Sequence, residues 1–179
     1  MKQLKVFYVI AAIILLSGMM YSCTKNEDGS FGEANNLKTG QIEMKVTPNS
    51  ANKVSFSATA MRVTIDWGDG NIDEITPNGD SRSYLHEYSN QKTQTIIVTT
   101  EGMTGFSCSS TLRMITRELR FGYCPELKSI MCNHNQLTVL DTNQCLELTS
   151  LFCDANQLTT LDISQCTKLS TLWCTGNKL

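Results

Sequence analysis

The sequence lacks an excess of charge of either sign: 15 basic residues stand against 17 acidic ones in 179, a formal net charge of -2. Without a basic excess there is no electrostatic footprint for nucleic acid, and without an acidic block there is no solvating tail. Histidine is scarce. The two present, His86 and His134, fall in different parts of the chain, and no nucleophile elbow, phosphate-cradling loop or pair of catalytic carboxylates accompanies them. These absences exclude the usual enzymatic constellations, so no catalytic residue and no cofactor is expected. The apolar run at residues 6–16, VFYVIAAIILL, is too short to cross a bilayer, which takes about 20 residues. The apolar share of 41% is still enough to build a core.

That apolar run has a different use. Lys2 and Lys5 precede it and small and polar residues follow, ending in SGMMYSC at Cys23, the layout of a secretory signal. The segment resembles the signal of bacterial lipoproteins, with Met20 and Tyr21 where that pattern usually has Leu and a small residue. The resemblance implies that residues 1–22 are removed and that Cys23 is the lipid attachment site, each buried methylene adding about 0.8 kcal/mol of anchoring. An ordinary cleaved signal that ends near a cysteine is the alternative. Residues 23–39 are polar and glycine-containing and read as a flexible tether. Glu27 and Asp28 close behind Cys23 resemble a surface-export signal.

Between residues 40 and 101 short runs of alternating polarity, IEMKV, KVSFSATA, RVTIDW, SYLHEY and TQTIIVTT, are separated by turn residues, which predicts antiparallel strands in a small β-sandwich. Trp67-Gly68-Asp69-Gly70, followed by His86-Glu87-Tyr88, resembles the PKD-type immunoglobulin-like module. Asp66, Asp69, Asp73 and Glu74 lack the alternating ligand spacing of a calcium loop, so Asp69 is expected to bond its own turn. His86 is expected to pack beside Tyr88.

The remainder, 102–179, repeats every 21 residues. Leu127, Leu148 and Leu169 correspond, as do Ile130, Leu151 and Leu172; Cys132, Cys153 and Cys174; and Asn135, Asn156 and Asn177. A second set, Cys124, Cys145 and Cys166, keeps the same period. The pattern L-x-x-L-x-C-x-x-N-x-L resembles a leucine-rich repeat with cysteine at a leucine place. It implies a solenoid of parallel strands with irregular returns, stacked so that each coil hides its neighbour's apolar face. Upstream, Met103, Phe106 and Cys108 fit a first coil, and the residues after Cys108 read as an insertion. Zinc would need four converging ligands, which a straight column of cysteines does not supply; no metal site is expected. The thiols read as core residues, with occasional bridges between neighbouring coils as the alternative. The asparagines are expected to form a ladder satisfying turn backbone.

The whole order resembles leucine-rich-repeat surface lipoproteins of Bacteroidetes. It implies a mainly β chain and a location at the cell outer membrane, lipid-anchored and facing outward. On the repeat strands the residues flanking the inward pair are expected on the concave side: Met131, Phe152 and Trp173 in the middle, Ser129, Ser150 and Thr171 to one flank, and Asn133, Asp154 and Thr175 to the other. An open apolar column marks a docking stripe for a protein or a glycan. Packing against a further segment or a neighbouring copy is the competing expectation, and the sequence stops in mid-repeat, which reads as truncation or as an edge that self-associates.

Overall fold

The computed structural model describes residues 37–109 and 115–179. The signal at 1–22, Cys23 and the tether up to residue 36 lie outside the described residues, as do residues 110–114 of the insertion. Among the described residues every regular element is a strand.

Alternation of buried and open side chains dictates most of them. Strands β1 (Gln41–Thr47) and β2 (Lys53–Thr59) each switch strictly between half-buried and buried positions, so Ile42, Met44, Val46, Val54, Phe56 and Ala58 all point into one core. β3 (Arg62–Asp66) buries Val63 and Ile65 and turns back into β4 (Ile72–Ile75); β5 (Ser81–Glu87) and β6 (Gln94–Glu101) follow. After them come β7 (Gly105–Ser107), β8 (Ile115–Phe121), β9 (Ser129–Met131), β10 (Val139–Asp141), β11 (Ser150–Phe152) and β12 (Thr171–Trp173).

Two six-stranded sheets result, in the orders β10-β8-β1-β6-β3-β4 and β12-β11-β9-β7-β2-β5. Strands up to residue 101 pair antiparallel with one another. The repeat strands pair parallel, β7 with β9, β9 with β11, β11 with β12, and on the other sheet β8 with β10. The solenoid-like region makes about three turns. Both sheets pass without a break from the antiparallel to the parallel part, because β7 pairs β2 on one side and β8 pairs β1 on the other.

The core is correspondingly one hydrophobic cluster. A chain of aromatic contacts threads it: Trp67 to Phe56 at 5.8 Å between ring centroids, Phe56 to Phe106 at 5.7 Å, and Phe106 to Phe121 at 5.6 Å. Phe106 and Phe121 belong to opposite sheets, so this last contact joins the two layers at the first coil. The returns are only partly irregular. Val139–Asp141 is straight enough to pair with β8, whereas the equivalent residues one coil later form no strand.

Each coil turns at one left-handed residue. His134, Ala155 and Gly176 have φ of 55°, 52° and 69° and lie one period apart, directly after the outward flank position. This geometry places His134 in the open at a turn, away from the cysteine column, as its sequence register predicts.

Candidate functional site

Two constellations invited a functional reading, and the structure treats them differently. The first is the WGDG turn. Gly68 takes a φ of 79° where a Cβ would come within 2.4 Å of the Thr95 carbonyl oxygen, so only glycine fits. The three aspartates of the turn are engaged locally: Asp66 Oδ1 accepts from Gly68 N–H, Asp69 Oδ1 from Asn71 N–H, and Asp73 Oδ2 from Trp67 Nε1–H at 2.9 Å. Asp69 Oδ2 lies 2.7 Å from His86 Nε2. The His86 ring stacks on Trp67 at 4.7 Å with planes 12° apart, and meets Tyr88 edge-on at 4.6 Å. Tyr88 donates its hydroxyl to the Trp67 carbonyl at 2.8 Å.

Burial alone would raise the Asp69 pKa, but the bonds from His86 and Asn71 outweigh it and hold the carboxyl below its ordinary range. Burial raises the Tyr88 hydroxyl, with the nearby Asp69 and Asp66 adding to it. The arrangement is a clamp that fixes a turn to a neighbouring strand: every group has a structural partner within it, and none is aimed at an open site.

The cysteines form two columns in the interior. Cys108, Cys132, Cys153 and Cys174 follow the strands of one sheet, and Cys124, Cys145 and Cys166 follow the returns; all are free thiols, and all but Cys174 are buried. Burial pushes Cys108, Cys124 and Cys153 up to about 12, so these thiols stay protonated and unreactive at neutral pH. Among the described residues no group of three or more His, Cys, Asp or Glu side chains could hold a metal ion.

Beside the strand column runs the asparagine ladder. Asn156 Oδ1 accepts from Leu137 N–H at 3.0 Å, and its Nδ2 donates to the carbonyls of Cys132 and Cys153, both at 3.0 Å. Asn135 does the same between Thr116, Cys108 and Cys132, and Asn177 between Leu158, Cys153 and Cys174. Each amide thus ties one coil to the next, giving an acceptor to one backbone N–H and sharing a carbonyl with the neighbouring asparagine, since Cys132 and Cys153 each accept from two of them.

The second constellation is the outward face of the sheet carrying β12. Ile130 and Leu151 are fully buried, so their neighbours project outward. Met131 is 44% and Trp173 60% exposed, with Phe152 half-buried between them. Phe152 and Trp173 meet edge-to-face at 5.4 Å between centroids. The flank of Ser129, Ser150 and Thr171 is half-buried. On the other flank the Ser109 hydroxyl donates to Asn133 Oδ1. Asp154 Oδ2 lies 4.0 Å from His134 Nε2, and Asp154 Oδ1 is buried without a hydrogen-bond partner. Thr175 is exposed.

The registers carry this face beyond the repeats. Trp173, Phe152 and Met131 lie in one row with Ser107, Ser57 and Ser83. The adjacent row runs Thr171, Ser150, Ser129, Gly105, Thr59 and Ser81. Sequence reasoning missed the residues of β7, β2 and β5, since β2 and β5 do not share the 21-residue period and β7 precedes β9 by 24 residues; the signal in β2 was strict alternation, with serine at two of the four outward places of KVSFSAT and Lys53 and Thr59 at the others.

The chain matches no protein-family model, no curated protein and no solved structure.

Proposed function

We infer that the chain is a lipid-anchored binding protein of the cell outer membrane, turned outward, which performs no chemistry and adheres to a macromolecular partner, protein or glycan, through the outward face of its repeat strands. The observation that carries this reading is the row of Met131, Phe152 and Trp173 on the outward face, with Met131 and Trp173 exposed and Phe152 half-buried between them on paired strands. Apolar and aromatic side chains exposed together on a surface mark interaction sites, and rigid aromatic anchors carry most of the energy of such sites. The flanking Ser129, Ser150 and Thr171, with Asn133, Asp154 and Thr175 opposite, supply the polar rim that fixes orientation.

Within this reading the first strands are a PKD-like module, for which the clamp between the WGDG turn and His86 and Tyr88 speaks, and the coils are leucine-rich repeats, for which the asparagine ladder speaks. The likeness to Bacteroidetes surface lipoproteins supports the lipid anchor at Cys23.

Bacteria displaying the full chain should adhere to surfaces coated with extracellular-matrix protein or polysaccharide. The double variant Phe152→Ala, Trp173→Ala should lose most of that adherence while its melting temperature stays unchanged. Equal adherence by variant and parent would remove the docking face from consideration. Cys23→Ala should release the protein from the membrane fraction and abolish incorporation of labelled palmitate.

A further inference from the structure

The two outward faces of the molecule differ in chemistry, and the difference bears on what the docking face receives. On the sheet carrying β10 the outward rows are ionic. Arg120 Nη1 lies 3.2 Å from Glu43 and also bonds Glu118, and Lys45 Nζ lies 3.1 Å from Glu118. On the docking face the two long rows contain no charged side chain. The ion pair of Lys53 and Glu87 sits at one corner of that sheet, at 3.4 Å. Two rows with no cation or anion along six strands, bordered by the carboxylate of Asp154 and by the already paired Lys53 and Glu87, offer no free cation to a phosphate, a sulfate or a carboxylate, whose recognition rests on ion pairing.

The face instead alternates two textures. One row is hydroxyl-bearing almost throughout, and the next is apolar for half its length and serine for the rest. Both rows run across the strands, so they advance by about 4.8 Å per strand. A ligand that lies along them must repeat at a similar interval and show an apolar face beside hydroxyl groups at every step. A peptide in β-strand conformation joins a sheet at its edge through backbone bonds, parallel to the strands, and not across them. A pyranose chain fits across them: each ring advances by a comparable length, turns C–H groups to one side and carries hydroxyls at its rim.

Resting on the docking reading above, the geometry points to an extended, uncharged polysaccharide laid across the strands, with its ring faces on Met131, Phe152 and Trp173 and its hydroxyls bonded by Ser129, Ser150 and Thr171. The serines of β7, β2 and β5 extend the same track past the repeats, so longer chains gain contacts until they span the sheet, about 24 Å for six strands.

The protein carries its own reporter. It has two tryptophans; Trp67 is fully buried and Trp173 is 60% exposed, so a change in fluorescence reads Trp173. The full chain is titrated with soluble, uncharged β-linked gluco-oligosaccharides graded in length from a disaccharide upward. A blue shift is expected, with affinity that grows with length and does not change when salt is raised to about 1 M, where charge interactions are screened within about 3 Å. Phe152→Ala should weaken binding about tenfold, the size of an ordinary anchor loss. Ser150→Arg, which folds without touching the core, should weaken it comparably by putting a charge in the hydroxyl row; its thermal midpoint certifies the fold.

Absence of binding by every uncharged oligosaccharide, binding that falls with salt, preference for a polyanion, or binding indifferent to both substitutions would each overturn the sugar inference. The adherence assay above, run on the same variants, separates the two proposals. Adherence to immobilised protein that depends on Phe152 and Trp173 without any sugar binding leaves the docking face standing and makes its partner a protein. Concentration-dependent dimers in sedimentation that vanish in Phe152→Ala, again without sugar binding, make the face a contact between copies. Loss of neither adherence nor binding in any variant defeats both.

Discussion

At the scale of single residues, the repeats are held by a few side chains asked to do more than fill space. Asn156 is 7% exposed and satisfies the Leu137 amide together with carbonyls from two coils. Alanine there leaves the buried Leu137 amide without its acceptor, at about 1–3 kcal/mol, while the Cys132 and Cys153 carbonyls keep the amides of Asn135 and Asn177, so Asn156→Ala should destabilise by about 1–3 kcal/mol; chemical denaturation of variant and parent measures it. Cysteine serves the same interior in a plainer way. Its small apolar side chain packs within a coil, and burial keeps the thiol protonated. Alkylation of the native chain should therefore mark Cys174, the one repeat cysteine that is not buried, well before the others, with all seven repeat cysteines reacting once the protein is denatured. Mass spectrometry of peptides after timed labelling reads this directly, and prompt labelling of Cys132 or Cys145 would contradict the packing described.

At the scale of elements, the clamp between the β3–β4 turn and β5 depends on an ionised Asp69. Its carboxyl pKa in the folded state lies below the ordinary value, so its stabilising contribution is complete above the unfolded value, about 3.9, and is lost as pH falls through the folded one. Glu118 follows the same sign: burial opposes ionisation, but Lys45 and Arg120 outweigh it and lower the pKa. Thermal midpoints should accordingly fall as pH drops below about 4. Asp69→Asn should flatten part of that fall, while Asp80→Asn, at an exposed turn position, should not.

At the scale of the whole molecule, two sheets run through antiparallel and parallel strands alike and share one core. Phe106 lies at the passage, in contact with Phe56 on one side and Phe121 on the other. Phe106→Ala should cost about 3–5 kcal/mol, as for other buried aromatics, and lower a single thermal transition. Calorimetry that resolves two separate transitions in the parent protein would show that the strands before and after residue 101 unfold independently.

Much of this was legible beforehand, for identifiable reasons. The alternation in KVSFSAT and QIEMKVT assigned β2 and β1, because a half-buried strand leaves a period of two in any sequence. The 21-residue period put Ile130 and Leu151 inside and Met131, Phe152 and Trp173 outside, because stacked coils repeat their environment. The ladder of Asn135, Asn156 and Asn177 and the role of Asp69 within its own turn followed from residue chemistry. The strand at Val139–Asp141 was not legible, since the near-identical return one coil later forms none; pairing with β8 decides it.

The sequence by itself determined most of the strands, though not β8 or β10, together with the period, the inward and outward sides and the placing of thiols and amides within each coil, all of which follow from local alternation and repetition. Only the tertiary structure decided that β7 pairs with β2 and β8 with β1, so that serines from one pattern align with aromatics from another in a single row. Registers between strands distant in the chain are set by how the whole core closes, and no periodicity within either part encodes them.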